Sequence, residues 1–498
     1  MNADRPKQRV VIAGGGTAGW LVAAALGRLL GQLIDVTLVE SDEIGTIGVG
    51  ESTIPTARTF HRLLGIDERA FMQATNASFK LGIAFEDWGA VGERYFHSFG
   101  VLGRSTWMAD FHHIWLRARD EGDGSALGDY CFELQAAEAG RFATSDKATI
   151  NYAYHLDASA YAGFLRGVAE AAGVKRIEGR IADVRQAAES GFITGLALQS
   201  GQVIEGDLFI DCTGFRGLLI EGALETGYED WTHWLSTDSA IAVQTQATTD
   251  ARPYTRAAAH RAGWQWQIPL RHRVGNGLVF ASEFVSDDEA AAMLAERVDG
   301  AMLTDPRVIR FRTGRRSKAW NRNCVAFGLS SGFVEPLEST SIHLIMIGIM
   351  RLVKLFPFDG INEALVDRYN EQSQRELEGI RDFIILHYHL NRRSDSPFWS
   401  RCREMAIPDT LAQRIALFEE SAQAYQDAHD LFRVDSWVQV MLGQGLEPKT
   451  HHPMARLMSR DQRRQALGDL KRNIASAVAT MPSHQAFLDQ YGAASPAR

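Results

Sequence analysis

The sequence predicts an α/β fold in two lobes: a Rossmann-like parallel sheet interrupted by a second lobe and followed by a mainly helical C-terminal part. Three apolar runs, each breaking into a loop of small residues, carry this reading. They are Val10 to Ala13 entering Gly14-Gly15-Gly16-Thr17-Ala18-Gly19-Trp20, Asp207 to Asp211 entering Cys212-Thr213-Gly214, and Asn323 to Phe327 entering Gly328 to Gly332.

The first loop has the G-x-G-x-x-G spacing between a strand and a helix. Gly14 permits the tight turn, Gly16 lets a pyrophosphate approach the backbone, and Gly19 lets helix and strand pack closely, with the helix N-terminus facing the phosphates. Val22 to Leu30 has helical character, Val36 to Val39 reads as the next strand, and Glu40 ends that strand about twenty residues on, where a carboxylate can accept from a ribose hydroxyl. A glycine turn in a sheet that binds no nucleotide is the alternative.

Tyr161 to Ala172 reads as an amphipathic helix, followed by short strands at Arg176-Ile177, Ile181 to Val184 and Phe192 to Leu198. The apolar run ending at Asp211 can return beside the first strand and bring Gly214 to the same nucleotide. Two separated segments serving one cofactor favour FAD over a simple NAD domain. The third run leads through Phe333 to Leu337 into an apolar helix near Ser339. Its Gly328 to Gly332 also fits G-x-S-x-G, so Ser330 with a histidine such as His387 could form a hydrolase nucleophile elbow; that reading leaves the first two loops without a role. From about Glu363 the pattern is helical, clearest over Glu371 to Leu386 and Leu411 to Leu431. The layout expected is an FAD-binding domain over 1–360, with substrate-lobe insertions near 60–160 and 225–320, and a helical part over 361–498 completing the substrate side.

Composition excludes several classes. The net charge of −9 with interspersed signs gives no footprint for nucleic acid and no polybasic membrane patch. Four cysteines lie far apart with no C-x-x-C pair, which argues against a disulfide framework or zinc site and for a reducing compartment. His112-His113, His387-x-His389 and His451-His452 lack a third ligand, so no metal is expected. The basic start before Val10 to Leu30 has the outline of a signal peptide, but no small-residue cleavage site follows. Ile342 to Met350 stops at Arg351, too short to span a bilayer. The cytoplasm is the expected setting, and a homodimer stays open.

Further segments carry a family resemblance. Together with Gly14 to Trp20, the stretch Gly48-Val49-Gly50-Glu51-Ser52-Thr53-Ile54-Pro55, the W-x-W-x-I-P element Gly263 to Pro269, and Glu335 to Ser341 resemble the flavin-dependent halogenases of the tryptophan halogenase family. Phe209 to Gly214, Arg216 to Ile220, and His387-Tyr388 through Phe398-Trp399 extend the likeness over most of the chain. The resemblance implies an enzyme that uses FADH2 from a separate flavin reductase, oxygen, and chloride or bromide to make hypohalous acid, spent at a second site on an electron-rich aromatic substrate. It implies cofactor contacts from Gly14, Gly15, Gly16, Thr17, Ala18, Gly19, Glu40, Gly48, Val49, Gly50, Glu51, Ser52, Ile54, Pro55, Ile181, Asp211, Gly214, Leu329 and Ile342. Gly48 to Pro55 would be a strap linking the two sites, and Thr340 and Ser341 would bind halide through backbone N–H groups.

By the same likeness Lys80, in Phe79-Lys80-Leu81-Gly82, is the catalytic lysine. Alone, a lysine is ordinarily a solvated surface group, though its apolar neighbours suit a partly buried ammonium. At a reference pKa of about 10.4 it starts protonated and can hydrogen-bond hypohalous acid; desolvation would favour the amine that a haloamine requires. Glu338 would accept the ring proton and stabilise the cationic intermediate. From the residues alone it is equally a glutamate favouring a helix N-terminus, and Glu335 is a neighbouring candidate. Trp264 and Trp266 project to one face of a strand, as a core pair or as a wall between flavin and substrate. His97 and Phe99 match positions that sandwich an indole.

Two departures stand out. The region Ser400 to Ser436, where tryptophan-specific members carry a longer lid that holds the amino acid's backbone, is short here and has Tyr425 as its one tyrosine. Ser341 stands where those members usually have glycine, leaving the halide preference open. A more open pocket for indole or an indole derivative is therefore expected. A halogenase of free tryptophan, a flavin-dependent aromatic hydroxylase and a non-catalytic FAD-binding relic are the alternatives.

Overall fold

Val10 to Ala13 are buried on every side because their strand, Gln8–Ala13, is interior to a parallel sheet, where apolar runs replace alternation. The computed structural model describes residues 6–44, 51–106, 109–144 and 150–493. Contacts divide the chain into one unit of residues 1–77, 156–236 and 311–377 and another of 78–155, 237–310 and 378–498.

In the first unit the sheet order is Trp320–Asn321, Cys324–Ala326, Leu208–Asp211, Gln8–Ala13, Ile34–Glu40 and Lys175–Glu178. The ladders from Cys324–Ala326 to Lys175–Glu178 are parallel, and the register sets Ala13 opposite Asp211 and Asp211 opposite Ala326. That register brings the three loops to one carboxyl edge, where open α/β sheets bind ligands. The helix Thr17–Leu30 buries Trp20 to Leu26, and the helix Ala158–Ala171 is capped by Asp157, which accepts from the Ala160 amide. The strands Ile181–Gln186, Ile193–Leu198 and Val203–Glu205 form a separate antiparallel layer.

The other unit is built on a seven-stranded sheet ordered Arg307–Arg310, Ser239–Gln246, Arg273–Phe280, Gly263–Pro269, Thr255–His260, Gly82–Glu86 and Arg94–Ser98. Its pairs are antiparallel except Thr255–His260 with Gly82–Glu86. One row across it reads Thr255, Ile83, His97, and the next Trp266, Ala257, Phe85, Tyr95. A Cβ on Gly277 would fall 2.0 Å from the Trp266 ring, so glycine there makes room for that indole. The strand Ser78–Lys80 pairs separately with the strand ending at Leu156, setting Ser78 opposite His155 and Lys80 opposite Ala153.

Two sequence expectations are corrected. Helices Thr56–Leu63 and Glu68–Ala74 stay with the first unit, because His61 and Phe71 pack on Tyr161 and Phe164, so the second lobe begins at 78 rather than near 60. The C-terminal helices from 378 group with 78–155 and 237–310. Helix Asp409–Ser421 stops ten residues before Leu431: Ala422 takes a left-handed φ of 57°, and Arg414 turns the chain back by donating to the Tyr425 carbonyl and pairing with Asp430.

Burial holds several histidines neutral. It lowers His61 and His484 to about 4 and His260 to about 3. In the unfolded chain these rings take up protons below about 6.5, so their contribution to stability is complete above that pH and falls between about 6.5 and 4, by about 1.4 kcal/mol per pH unit for each group. Urea unfolding at pH 7.5 and 5.0 is expected to show a lower midpoint at pH 5.0, and an unchanged midpoint would contradict neutral burial.

Candidate active site

The first loop is open where a phosphate group would need it. Gly14 has φ +105°, and a Cβ there would lie 2.4 Å from the Cys212 carbonyl oxygen. A Cβ on Gly19 would lie 1.8 Å from the Gly14 oxygen, whereas one on Gly16 would meet nothing within 4 Å. The helix begins with Gly16 as N-cap, without a side-chain cap and without an acidic residue in its first turn, so its N-terminal dipole is left for an anion. Gly15 lies against Glu40, whose carboxylate accepts from Arg176 Nε at 2.6 Å and Trp20 Nε1 at 3.3 Å. Thr17 Oγ1 reaches the Ala158 carbonyl at 3.5 Å, and Ala18 abuts Gly328. These features fit a dinucleotide such as FAD.

Asp211 ties the other two loops to the first. Wholly buried, its carboxylate accepts from Thr213 N and Oγ1, Leu219 N, Ile220 N and Ser330 Oγ at 2.7 to 3.0 Å. With its oxygens committed to protein donors, Asp211 serves the cradle by positioning Gly214 and Ser330. Ser330 Oγ also reaches the Gly214 carbonyl at 3.0 Å. A buried hydroxyl so engaged is no exposed nucleophile, and His387, the partner named for it, has Tyr95 Oη at 2.7 Å from its Nδ1. Ser330 therefore forms no nucleophile elbow.

Beyond Gly328, Leu329 is half-buried and Ile342 buried. A single 3-10 turn, Pro336–Glu338, precedes Ser339 in a left-handed conformation (φ 59°), and the helix Ser341–Lys354 starts with Thr340 as N-cap. That helix too lacks a side-chain cap and a first-turn acid. Glu335, Glu338 and Thr340 are buried, and Ser341 is half-buried. The sequence did not point to His343, whose Nδ1 lies 2.9 Å from Thr56 Oγ1 and whose Nε2 lies 3.6 Å from Glu376; Arg351 holds Glu376 at 2.8 Å. This chain anchors the segment after Pro55 to the helix of Ser341. Of the segment before it, Gly48, Val49 and Gly50 lie outside the described residues; Ser52 and Ile54 are buried, while Glu51 and Pro55 are half-buried. Ile181 opens its strand half-buried, paired with Leu198.

In the other unit Lys80 is wholly buried, its ammonium 5.2 Å from the centroid of the Phe99 ring. The Phe99 amide donates to the Leu81 carbonyl, which fixes that ring beside the lysine strand. His97 faces Phe383 and Phe432 at centroid distances of 5.4 and 6.0 Å, those two stack at 3.7 Å, and Trp437 meets Phe383 edge-on at 4.9 Å. Trp264 and Trp266 are both buried, 6.0 Å apart. Phe383, Phe432 and Trp437 carry no shared local signal, because Phe383 comes from the helix Glu363–His389, Trp437 from the helix Val434–Gly443 and Phe432 from the bend before it. Arg414 stacks between Tyr425 at 4.0 Å and Trp437 at 4.5 Å, so the one tyrosine of the short 400–436 region is already engaged.

Three glycine-bearing loops on one sheet edge define a dinucleotide-binding enzyme of the FAD-dependent Rossmann class. A model of the tryptophan halogenase family matches residues 9–460. Among solved structures, Xcc4156, a flavin-dependent halogenase from Xanthomonas campestris, matches with a TM-score of 0.97 at 52% identity, over 99% of this chain and 100% of that one. BrvH, a flavin-dependent halogenase from Brevundimonas sp. BAL3, matches with 0.94 at 46%, over 98% and 99%. The tryptophan 7-halogenase RebH of Lentzea aerocolonigenes is 36% identical over 97% of this chain and 98% of its own length. The chain belongs to the tryptophan halogenase family and is a flavin-dependent halogenase. No helix among the described residues is long and apolar enough to cross a membrane, and no metal-binding cluster occurs among them.

The loop geometry makes Gly19 a direct probe. Gly19→Ala drives a methyl into the Gly14 carbonyl and is expected to weaken FAD binding by about tenfold or more, measured by equilibrium dialysis. Binding at the original strength would contradict the cradle.

Proposed function

We propose that this chain halogenates indole or an indole derivative, using FADH2 delivered by a separate reductase and a chloride or bromide ion. The observation that carries the reading is Lys80, an ammonium wholly buried beside Phe99 in a unit that also gathers His97, Phe383, Phe432 and Trp437. Bound reduced flavin supplies, with oxygen, the oxidation of halide to hypohalous acid. The chain's residues do the rest. Gly14 to Gly19, Glu40 and the strap residues Gly48 to Pro55 hold and orient the cofactor, with Ile181, Gly214, Leu329 and Ile342 bordering it and Asp211 fixing the loops. The N–H groups of Thr340 and Ser341 hold the halide, since the uncapped start of their helix favours an anion.

Lys80 donates a hydrogen bond to the oxygen of hypohalous acid. As the ring π-electrons attack the halogen, the oxygen–halogen bond breaks and the oxygen leaves as water with the lysine proton. The ring proton then passes to Glu338, and solvent returns both groups to their starting states, so the sum is arene plus hypohalous acid giving haloarene plus water. His97 and Phe99 hold the indole by ring contacts. Trp264 and Trp266 present a buried aromatic wall that keeps water from the oxidant.

The engagement of Tyr425 by Arg414, within a short 400–436 region, supports an indole-type substrate over free tryptophan, whose charged backbone needs partners. The test is turnover with FAD, a flavin reductase, NADH, oxygen and either halide, read by mass spectrometry. Indole is expected to be halogenated with a higher kcat/KM than free tryptophan; strong preference for tryptophan would defeat the substrate assignment, and a halide-independent oxygenated product would mark a hydroxylase. Lys80→Ala is expected to abolish halogenated product while flavin oxidation continues, and Glu338→Gln to lower kcat by about 10². Retained halogenation in the Lys80 variant would overturn its role.

A further inference from the structure

We propose that His155, acting with Ser78 and Thr255, is a positioning residue that locks Lys80 in place for halogen delivery. This rests on the reading of Lys80 as the delivering group.

The geometry lies in one small ladder. Ser78 and Lys80 sit two residues apart on one face of the strand Ser78–Lys80, and His155 is directly opposite Ser78 on that same face. Ser78 Oγ donates to the Pro269 carbonyl at 2.6 Å, which leaves its lone pairs to accept from His155 Nδ1 at 3.2 Å. The ring proton is therefore on Nδ1, and Nε2 accepts from Thr255 Oγ1 at 2.9 Å. The result is one directed chain, from Thr255 hydroxyl to imidazole to Ser78 hydroxyl to the Pro269 carbonyl, in which each bond polarises the next. Burial, and after it the charge of Lys80, hold the His155 ring well below the ordinary histidine range, outweighing a hydrogen bond to the Pro269 carbonyl that raises it, so the ring stays neutral. Across the strand, His484 Nε2 accepts the Phe79 amide at 3.2 Å, while Phe79 stacks on Phe142 at 4.1 Å.

Each end of the chain reaches something the reaction uses. Pro269 closes the strand that carries Trp264 and Trp266, and Thr255 begins the row that runs through Ile83 to His97. A short two-strand ladder has little intrinsic stiffness. His155 thus supplies the fixed reference between lysine and aromatic wall, and it does so without placing a second cation beside the ammonium.

The experiment measures three things in the full-length holoenzyme: halogenated product per flavin oxidised, kcat against KM for the aromatic substrate, and FAD affinity. His155→Leu is expected to lower kcat and product per flavin by about tenfold or more, with KM and FAD affinity within about twofold, because displacement of a delivering group affects the reacting geometry before binding. Thr255→Val is expected to move the same quantities in the same direction, and Thr255→Ser, which keeps the hydroxyl, to restore them. If His155→Leu does not fold, the Thr255 pair alone decides. Full coupling in His155→Leu, or equal losses in Thr255→Val and Thr255→Ser, would overturn the proposal. Lys80→Ala run alongside separates the two failures: product surviving that change removes the delivery role and this proposal with it, whereas loss there with full coupling in His155→Leu removes this proposal alone.

Discussion

Taking a lysine ammonium wholly out of water is the constraint on which the unit of residues 78–155, 237–310 and 378–498 depends. Lysine is almost never fully buried unless its charge is met, and here it sits on a strand with the face of Phe99 beside it and a neutral, doubly hydrogen-bonded histidine opposite its neighbour. Such a charge is costly to desolvate and gains strength from the same low dielectric once a polar reactant reaches it. That asymmetry suits the delivery role proposed for Lys80, which asks it to ignore bulk water and engage one small oxidant. The aromatic rings around His97 meet the same need, since they exclude water and present electron-rich faces.

The flavin unit meets a different constraint, the alignment of strand ends. Because Ala13, Asp211 and Ala326 share one register, the loops that follow them are forced together, and the buried carboxylate of Asp211 makes five bonds that hold that meeting point. The glycines then act by absence: any Cβ at Gly14 or Gly19 would strike backbone oxygen. Two helix starts, at Gly16 and at Thr340, are left without side-chain caps or first-turn acids, and the proposed cofactor and halide sites rest on them.

Local features of the fold are legible in the sequence. The strands ending at Ala13, Glu40, Asp211 and Ala326 and the helix after Gly16 announce themselves through apolar runs and glycine spacing, which depend on neighbours in the chain. What the sequence hid was long-range. Nothing local shows that Leu219, Ile220 and Ser330 return to Asp211. Ser330 matched a nucleophile pattern for the same reason. The helix drawn through Leu431 overran because its terminator is Arg414, a side chain inside the helix that recruits Asp430 from beyond it. His155 and Thr255 carry no motif; a histidine between apolar residues reads as core until its two partners are known.

The central claim is that the oxidant is held by Lys80 and spent where it is held, never released to solvent. Regiochemistry in the presence of a dissolved thioether scavenger tests this most directly. Held oxidant predicts one ring isomer of the halogenated indole in a yield that scavenger does not change. An isomer distribution equal to that of free hypohalous acid, falling in proportion to added scavenger, would contradict it.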